Sequence, residues 1–186
     1  MALVGLDSVY VAQITKEDAT GTTYATPVKI ANALDAKVTP SVDTQSIFAD
    51  DSVAELISVF SQVDVEFTIA ELSNATYQLL LGKTKNSEGV VVDSADDIAP
   101  YFALGFRAKK SDGSYRYVWL YKGKFELVEE SFQTQADKAD YQTQPIKGTF
   151  VKRPLDGKWR AKVDSNDTGL ATGVISGWFT KVYDKA

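Results

Sequence analysis

Apolar and polar residues alternate with a period of two over several stretches of this chain, which is the pattern of half-buried β-strands. In the clearest stretch, residues 57–69, odd positions are apolar apart from Ser61 and even positions from Gln62 to Thr68 are polar. Similar alternation occurs at residues 34–39, 115–122, 125–132, 146–151 and 159–163, and the run at residues 101–106 begins a further strand block. We predict a mostly β protein of two packed antiparallel sheets, sandwich- or barrel-like, with a core that includes Val63, Val65, Phe67 and Ile69.

Turn and helix signals divide these stretches. Asp112-Gly113 and Asp156-Gly157 indicate tight turns, because glycine tolerates the positive φ that such turns need. One short helix is predicted over residues 73–81, with Ser73 as its N-cap and Gly82 just after its last turn. The polar stretch 83–95 is predicted to be a loop with one edge strand.

No internal repeat or linker divides the chain, so residues 1–186 are predicted to form one domain. Two segments stand out within it. Residues 40–52 form a connection that is long for a compact domain, and long loops tend to be functional. Residues 164–186 are rich in Gly and Ser before a final aromatic stretch, and we expect a C-terminal arm there.

Composition removes several function classes. The 186 residues include no Cys and no His, which excludes disulfides, thiolate or imidazole metal sites, and Ser-His-Asp catalysis. The net charge of −5 has the wrong sign for a nucleic-acid-binding protein. The first ten residues lack Lys and Arg, and no apolar run is long enough for a membrane span. We therefore expect a product that is made and kept in the cytoplasm or released by lysis, without a membrane partner.

The remaining chemical groups form no catalytic motif in the sequence. The acidic pairs 50–51, 96–97 and 129–130 are adjacent, and neighbouring residues of a strand point to opposite faces. Acids distant in sequence could still meet in space, so an enzyme stays a hypothesis, ranked third behind the two non-catalytic functions described below. The alternating aromatic residues could form a core face or stack on sugars and bases, and we favour the core. They are Tyr115, Tyr117, Trp119 and Tyr121.

Several segments carry a resemblance to a known family. They are MALVGLDSVYVA at 1–12, GTTYATPV at 21–28, IFADD at 47–51, the helix region 72–82, ALGF at 103–106 with its hairpin, GTF at 148–150 and DGKW at 156–159. Together they resemble the major tail proteins, or tail tube subunits, of long-tailed phages of the phi13 type. The resemblance extends over nearly the whole chain, and its motifs are structural rather than catalytic.

The resemblance implies a structural virion protein without cofactor. Family subunits form hexameric rings that stack into the tail tube, a conduit for DNA ejection into the host. The implied partners are further copies of the chain, the tape measure protein, the tail terminator and DNA in transient, non-specific passage. The implied locations are the virion tail and, during assembly, the host cytoplasm. A long loop and terminal arms connect rings in this family, so we predict an assembly loop made of Ile47, Phe48, Ala49, Asp50 and Asp51.

A tube that lets DNA pass needs a wall that does not bind phosphate, and acidic side chains serve that purpose. The candidates for lumen-facing acids are Asp64, Glu66, Glu126 and Glu130. Strand parity puts Glu129 on the opposite face from Glu126 and Glu130. The alternative function is a non-catalytic β-sandwich module that binds carbohydrate or a protein ligand through exposed aromatic residues. Tubes or rings in electron micrographs would distinguish the two.

Overall fold

The structure is a computed structural model that describes residues 3–31, 33–49, 52–69, 72–126 and 144–185. One helix and eleven strands lie in these ranges. They are β1 Leu3–Asp18, β2 Gly21–Tyr24, β3 Val28–Ala31, β4 Ala33–Ala49, β5 Ser52–Ile69, α1 Asn74–Leu81, β6 Thr84–Lys85, β7 Val91–Val92, β8 Phe102–Lys110, β9 Tyr115–Phe125, β10 Gln144–Val151 and β11 Arg160–Asp164.

Most strands belong to one antiparallel sheet in the order β2-β1-β8-β9-β10-β5-β4. Two further strands extend it: β3 pairs with β1, and β11 pairs with the first half of β9 while β10 pairs with the second half. Strands β6 and β7 form a separate small sheet. The predicted mostly β, antiparallel fold with one helix is confirmed.

The large sheet curves strongly. Strand β3 pairs with β1 near one end of the order, and β4 pairs with β5 at the other end, yet only residue 32 separates β3 from β4. The sheet must therefore bring its two ends close together, although no ladder between β4 and β1 closes it among the described residues. Its inner face holds the main hydrophobic core.

The predicted core residues are confirmed. Val63, Val65, Phe67 and Ile69 of β5 are each at most 2% exposed, and they pack with buried residues of β1, β8, β9 and β10. Helix α1 adds Leu80 and Leu81 to this core. This burial contributes most of the favourable free energy of folding.

Helix α1 begins and ends as predicted. The Ser73 side chain accepts a hydrogen bond of 3.2 Å from the backbone N–H of Thr76, which satisfies one of the first helical donors. Gly82 adopts a left-handed conformation with φ 67°, and its N–H donates to the carbonyl of Gln78. The predicted β8–β9 turn is also present, with Gly113 at φ 84°.

The alternation over residues 57–69 does not continue as one face. Gln62 pairs with Ser41, but the next pair is Phe60 with Val42, so Ser61 is an extra residue in β5. Such a β-bulge shifts the alternation by one residue. The prediction that Ile57 and Val59 share the core face is therefore wrong; they lie on the opposite face and are 44% and 54% exposed.

Candidate assembly surfaces

A two-stranded ribbon extends from the large sheet; we define it as residues 42–49 of β4 and 52–60 of β5. Strand β10 pairs with β5 only between Val63 and Ile69, so among the described residues β4 and β5 continue alone beyond that point. Their ladder runs to the pair Ala49 and Ser52. Eight residues of extended strand span about 27 Å.

The ribbon corrects one sequence-based expectation. Residues 40–52 were predicted to form an irregular loop, but residues 40–49 belong to β4 and pair in register with β5. Of the predicted assembly residues, Ile47, Phe48 and Ala49 lie in the last part of β4. Asp50 and Asp51 lie outside the described residues. The assignment of these five residues to assembly stays a prediction.

Both faces of the ribbon expose apolar side chains. Val42 and Leu56 lie on one face, the face where the Thr44 and Ser58 hydroxyls are 3.0 Å apart. Ile57 and Val59 lie on the other face because of the bulge at Ser61. All four apolar side chains are exposed, by 44% to 62%. Two-stranded ribbons are marginally stable alone, and exposed apolar surface of this kind indicates contact with another protein.

A charged surface covers the outer face of β4, β5 and β10. Lys37, Glu66 and Lys147 are cross-strand neighbours in one row, and Thr39, Asp64 and Thr149 form the next row. The Thr149 hydroxyl lies 3.1 Å from Asp64 Oδ1 and 3.3 Å from Glu126 Oε1. The structure thus brings Asp64, Glu66 and Glu126 onto one face. Glu129 and Glu130 lie outside the described residues.

Sequence reasoning missed the lysines on this face. Lys37 and Lys147 flank Glu66, and Lys124 pairs with Thr149, so cations alternate with the carboxylates. These residues are neighbours because of the register between the strands, which cannot be read from the sequence. Whether these acids face a lumen stays a prediction.

The outer face of β9 is covered by the C-terminal segment, residues 174–185. Trp178 and Val182 are buried against Trp119 and its neighbours in β9, and Trp119 Nε1 donates a 2.9 Å hydrogen bond to the carbonyl of Trp178. Phe179 stacks on Tyr10 at 4.4 Å between ring centroids. Of the four aromatic residues predicted as a core face, Tyr117, Trp119 and Tyr121 are at most 6% exposed, and Tyr115 is half-buried at the edge of the same cluster. The three buried residues are not available to stack on a carbohydrate.

Arg153 holds this segment in place. Its side chain, 4% exposed, donates to Asp184 at 2.8 Å and to Asp156 at 2.5 Å, and its guanidinium lies 4.3 Å from the Tyr121 ring centroid. The Tyr24 hydroxyl is a further neighbour at 3.3 Å. Burial raises the pKa of Tyr24 and of Tyr121 to about 12. No local sequence signal reveals this cluster, since its members are distant in the chain.

The described residues hold no group of three or more acidic, His or Cys side chains that could bind a metal ion. The Asp164 carboxylate pairs with Arg116 at 2.7 Å and with Lys110. Among all the residues that the structure describes, no helix is long and apolar enough to cross a membrane.

A curved antiparallel sheet with a projecting ribbon offers edge strands and exposed apolar side chains for contact with other proteins. The phage tail tube protein family provides the specific match: its model covers residues 1–172, and the chain belongs to this family. No curated protein matches the chain. The resemblance drawn from the sequence is confirmed. The protein is a structural component of the phage virion tail that self-assembles into the tube.

Residues 173–186 lie beyond the part of the chain that the family model matches. They include Trp178, Val182 and Asp184, which cover the outer face of β9 and bind Arg153. The fold of this chain is therefore completed by a segment outside the matched range.

Proposed function

We propose that this protein forms hexameric rings that stack into the tail tube, and that DNA passes through the tube into the host cell during ejection. The observation that carries the proposal is the ribbon, whose apolar side chains are exposed on both faces. A monomer gains nothing from such a surface, whereas burial against a neighbouring copy removes it from water. Membership of the tail tube family supports the same role.

Ring formation requires a contact between two different surfaces of the subunit, repeated by a rotation that closes. The chain offers unlike surfaces of this kind: the ribbon, the long β4 edge and the opposite end of the sheet at β2 and β3. Edge strands bind other strands readily, and assembly into a ring would use those edges rather than leave them open to aggregation. The ribbon would then make the contacts between one ring and the next.

Passage of DNA requires a lumen that binds phosphate weakly. We propose that Asp64, Glu66 and Glu126 face the lumen, with Glu130 as a further candidate. The three described acids share one outer face of the sheet, and a tube wall needs one such continuous face. The net charge of −5 favours a wall that repels DNA. The proposed partners at the ends and inside the tube are the tail terminator and the tape measure protein, with assembly in the host cytoplasm.

Negative-stain electron microscopy of the purified protein tests the proposal. Wild-type protein at high concentration should form tubes built from rings with sixfold symmetry. In a shortened variant, an Asn-Gly turn replaces residues 44–58 and joins the paired residues Asp43 and Val59. Asn-Gly suits a two-residue hairpin turn. This variant should fold, keep its far-UV circular dichroism and form no long tubes.

The matched control is Val90→Ser, which removes an exposed apolar side chain outside the ribbon. It should assemble like wild type. Tubes of normal length from the shortened variant would show that the ribbon is dispensable for assembly. A wild-type protein that stays monomeric at every concentration would contradict the proposed function itself.

A further inference from the structure

The curved sheet has an opening between β4 on one side and β1, β8, β9 and β11 on the other. A groove of about 500 Å³ lies at this opening, and we call it the β1–β4 groove. Val38, Phe106 and Val118 line it and also contact the main core. At its rim Leu34 and Val4 are 63% and 67% exposed. The groove therefore exposes part of the apolar interior of the sheet to solvent.

Three cations lie on the inner side of the sheet at this groove. In the ladder between β11 and β9, Arg160 pairs with Leu120. Lys162 pairs with Val118 in the same ladder, and Arg116 precedes Val118 by two residues on β9. Directly paired residues, and residues two apart on one strand, point to the same side of a sheet. Because Leu120 and Val118 belong to the main core, the three cations share its side of the sheet.

Two of these cations have no carboxylate partner in the described part of the chain. Arg116 pairs with Asp164 at 2.7 Å. No described carboxylate forms an ion pair with Arg160 or Lys162. Of the described acids, Asp35 alone lines the groove. One side of the β1–β4 groove therefore carries positive charge without a matching negative charge.

Arg160 is in an unfavourable electrostatic position. Its guanidinium stacks on the Trp159 ring at 4.3 Å from the ring centroid, which fixes the cation beside the groove. Burial, together with the nearby charge of Arg116, lowers the pKa of Arg160. An anion brought to this position would reduce the repulsion between the two guanidinium groups and stabilise the charged form of Arg160.

The chemistry of the groove defines the class of ligand that it suits. An inorganic anion would leave the apolar lining in contact with water, and an uncharged hydrocarbon would leave the cations without a partner. A molecule with one alkyl chain and one carboxylate satisfies both requirements. The volume of about 500 Å³ lies within the roughly 300–1,000 Å³ of ordinary small-molecule sites. Barrels of about eight strands hold a single small ligand in the same part of the fold, the interior of a curved sheet.

We propose that the β1–β4 groove binds a fatty acid with a single alkyl chain. The carboxylate lies against Arg160 and Lys162, where a charge-assisted hydrogen bond to the guanidinium holds it. The alkyl chain covers Val38, Phe106 and Val118 and takes their exposed parts out of water. This binding site is separate from the proposed assembly of the tube and does not depend on it.

Isothermal titration calorimetry of the unassembled protein with decanoate tests the proposal. Decanoate should bind with a stoichiometry of one per chain. Octanoate should bind more weakly, with a loss of about fourfold in affinity for each methylene removed, because each methylene buries apolar area. Decyltrimethylammonium has the same chain length and the opposite charge, and it should bind on the order of tenfold or more weakly than decanoate. Equal binding of the two amphiphiles overturns the proposal.

The groove variant is Arg160→Gln with Lys162→Gln, which removes both unpaired cations and keeps polar side chains. It should weaken decanoate binding on the order of tenfold or more, since the carboxylate loses its partners. The matched control is Lys181→Gln with Lys185→Gln, which makes the same change in net charge at exposed positions outside the groove. The control should bind decanoate like wild type. Equal weakening in both variants would show an effect of net charge alone and would overturn the site.

Nuclear magnetic resonance locates the ligand on the wild-type protein and does not depend on the folding of a variant. Amide shifts caused by decanoate should centre on Val38, Phe106 and Val118. The exposed apolar side chains of residues 90–98 provide an internal control, and decanoate that shifts these residues equally shows adsorption at any apolar surface, which overturns the proposal. Groove shifts that follow protein concentration, without saturable decanoate binding, would assign the groove to a second copy and also overturn it. Wild-type protein that binds decanoate but forms no tubes would refute the proposed function and support this site.

Discussion

Gly105 shows how closely the residues of this sheet are fitted to one another. It is the cross-strand partner of Trp119, and a Cβ atom at Gly105 would lie 2.7 Å from three atoms of the Trp119 ring. Trp119 is fully buried, so its ring has little room to move. Gly105→Ala should therefore lower the free energy of unfolding by about 1–3 kcal/mol, measured by urea denaturation.

Gly5→Ala is the matched control. Gly5 lies on the neighbouring strand, and a Cβ atom there would have no neighbour within 4 Å. This substitution should leave stability within about 0.5 kcal/mol of wild type. Equal effects of the two substitutions would mean that the Trp119 ring does not pack against Gly105.

Asp164 makes the stability of the protein depend on pH. Hydrogen bonds from Arg116 and Lys110 hold the pKa of its carboxyl well below the usual range, against the opposing effect of burial. A carboxyl whose pKa is lower in the folded state stabilises above its unfolded pKa, near 3.9, and this contribution is lost as the pH falls below that value. Asp164→Asn should therefore reduce stability at pH 7.

The comparison is made by urea unfolding of wild type and Asp164→Asn at pH 7 and at about pH 2. The difference between the two proteins should be large at pH 7 and shrink at the lower pH. Asp96→Asn, an exposed carboxyl, serves as the control and should show little difference at either pH. A difference that does not change with pH would exclude the ion pairs as its cause.

At the scale of the element, the C-terminal segment acts as a cover for the outer face of β9. Trp178 is 2% exposed and stacks on Tyr183 at 5.1 Å between ring centroids. Trp178→Ala should lower the free energy of unfolding by about 3–5 kcal/mol and make residues 174–185 sensitive to limited proteolysis. Lys181→Ala, an exposed neighbour, should behave like wild type. Protease resistance in Trp178→Ala would show that other contacts hold the segment.

The elements that the sequence predicts well are those with one buried face. In β5, Val63 and Phe67 alternate with Asp64 and Glu66 because one side meets the core and the other meets water. Helix α1 was predicted from its cap residues for a similar reason: Ser73 and Gly82 each satisfy a local backbone requirement. Such signals involve residues that are close together in the chain, so they can be read from the sequence.

The ribbon could not be predicted in this way. Its described side chains are exposed apart from that of Phe60, which stacks on Trp159, so no buried face imposes alternation on residues 42–56, and Pro40 with several polar residues favours a loop. Ser61 is the polar exception among the odd positions of residues 57–69, but one polar residue does not by itself predict the bulge that decides which face carries Ile57 and Val59. Likewise the Arg153 cluster and the lysines beside Glu66 depend on register between distant strands. The structure of these regions is determined by pairing between distant segments of the chain rather than by local sequence preference.

At the scale of the whole molecule, the charged outer face sets how a tube would interact with DNA. The carboxylates of Asp64, Glu66 and Glu126 are balanced by nearby lysines. A DNA phosphate close to this face would therefore meet little net positive charge. Each added lysine on a lumen wall would release counterions from DNA and strengthen binding. Wild-type tubes should therefore show negligible affinity for duplex DNA even at low salt.

Asp64→Lys with Glu66→Lys reverses two of these charges and leaves Lys37 and Lys147 in place. If this face lines the lumen, tubes of the variant should assemble, bind DNA in a salt-sensitive manner and impair DNA delivery, because each retained phosphate contact resists sliding. Glu88→Lys with Asp96→Lys makes the same change in net charge at exposed acids outside the sheet face. At physiological ionic strength charges are screened over about 8 Å, so only reversals that face the passing DNA should matter. Phage particles assembled with each variant should differ accordingly, with delivery lost for the first pair and kept for the second. Equal delivery by both would place Asp64 and Glu66 on the outside of the tube.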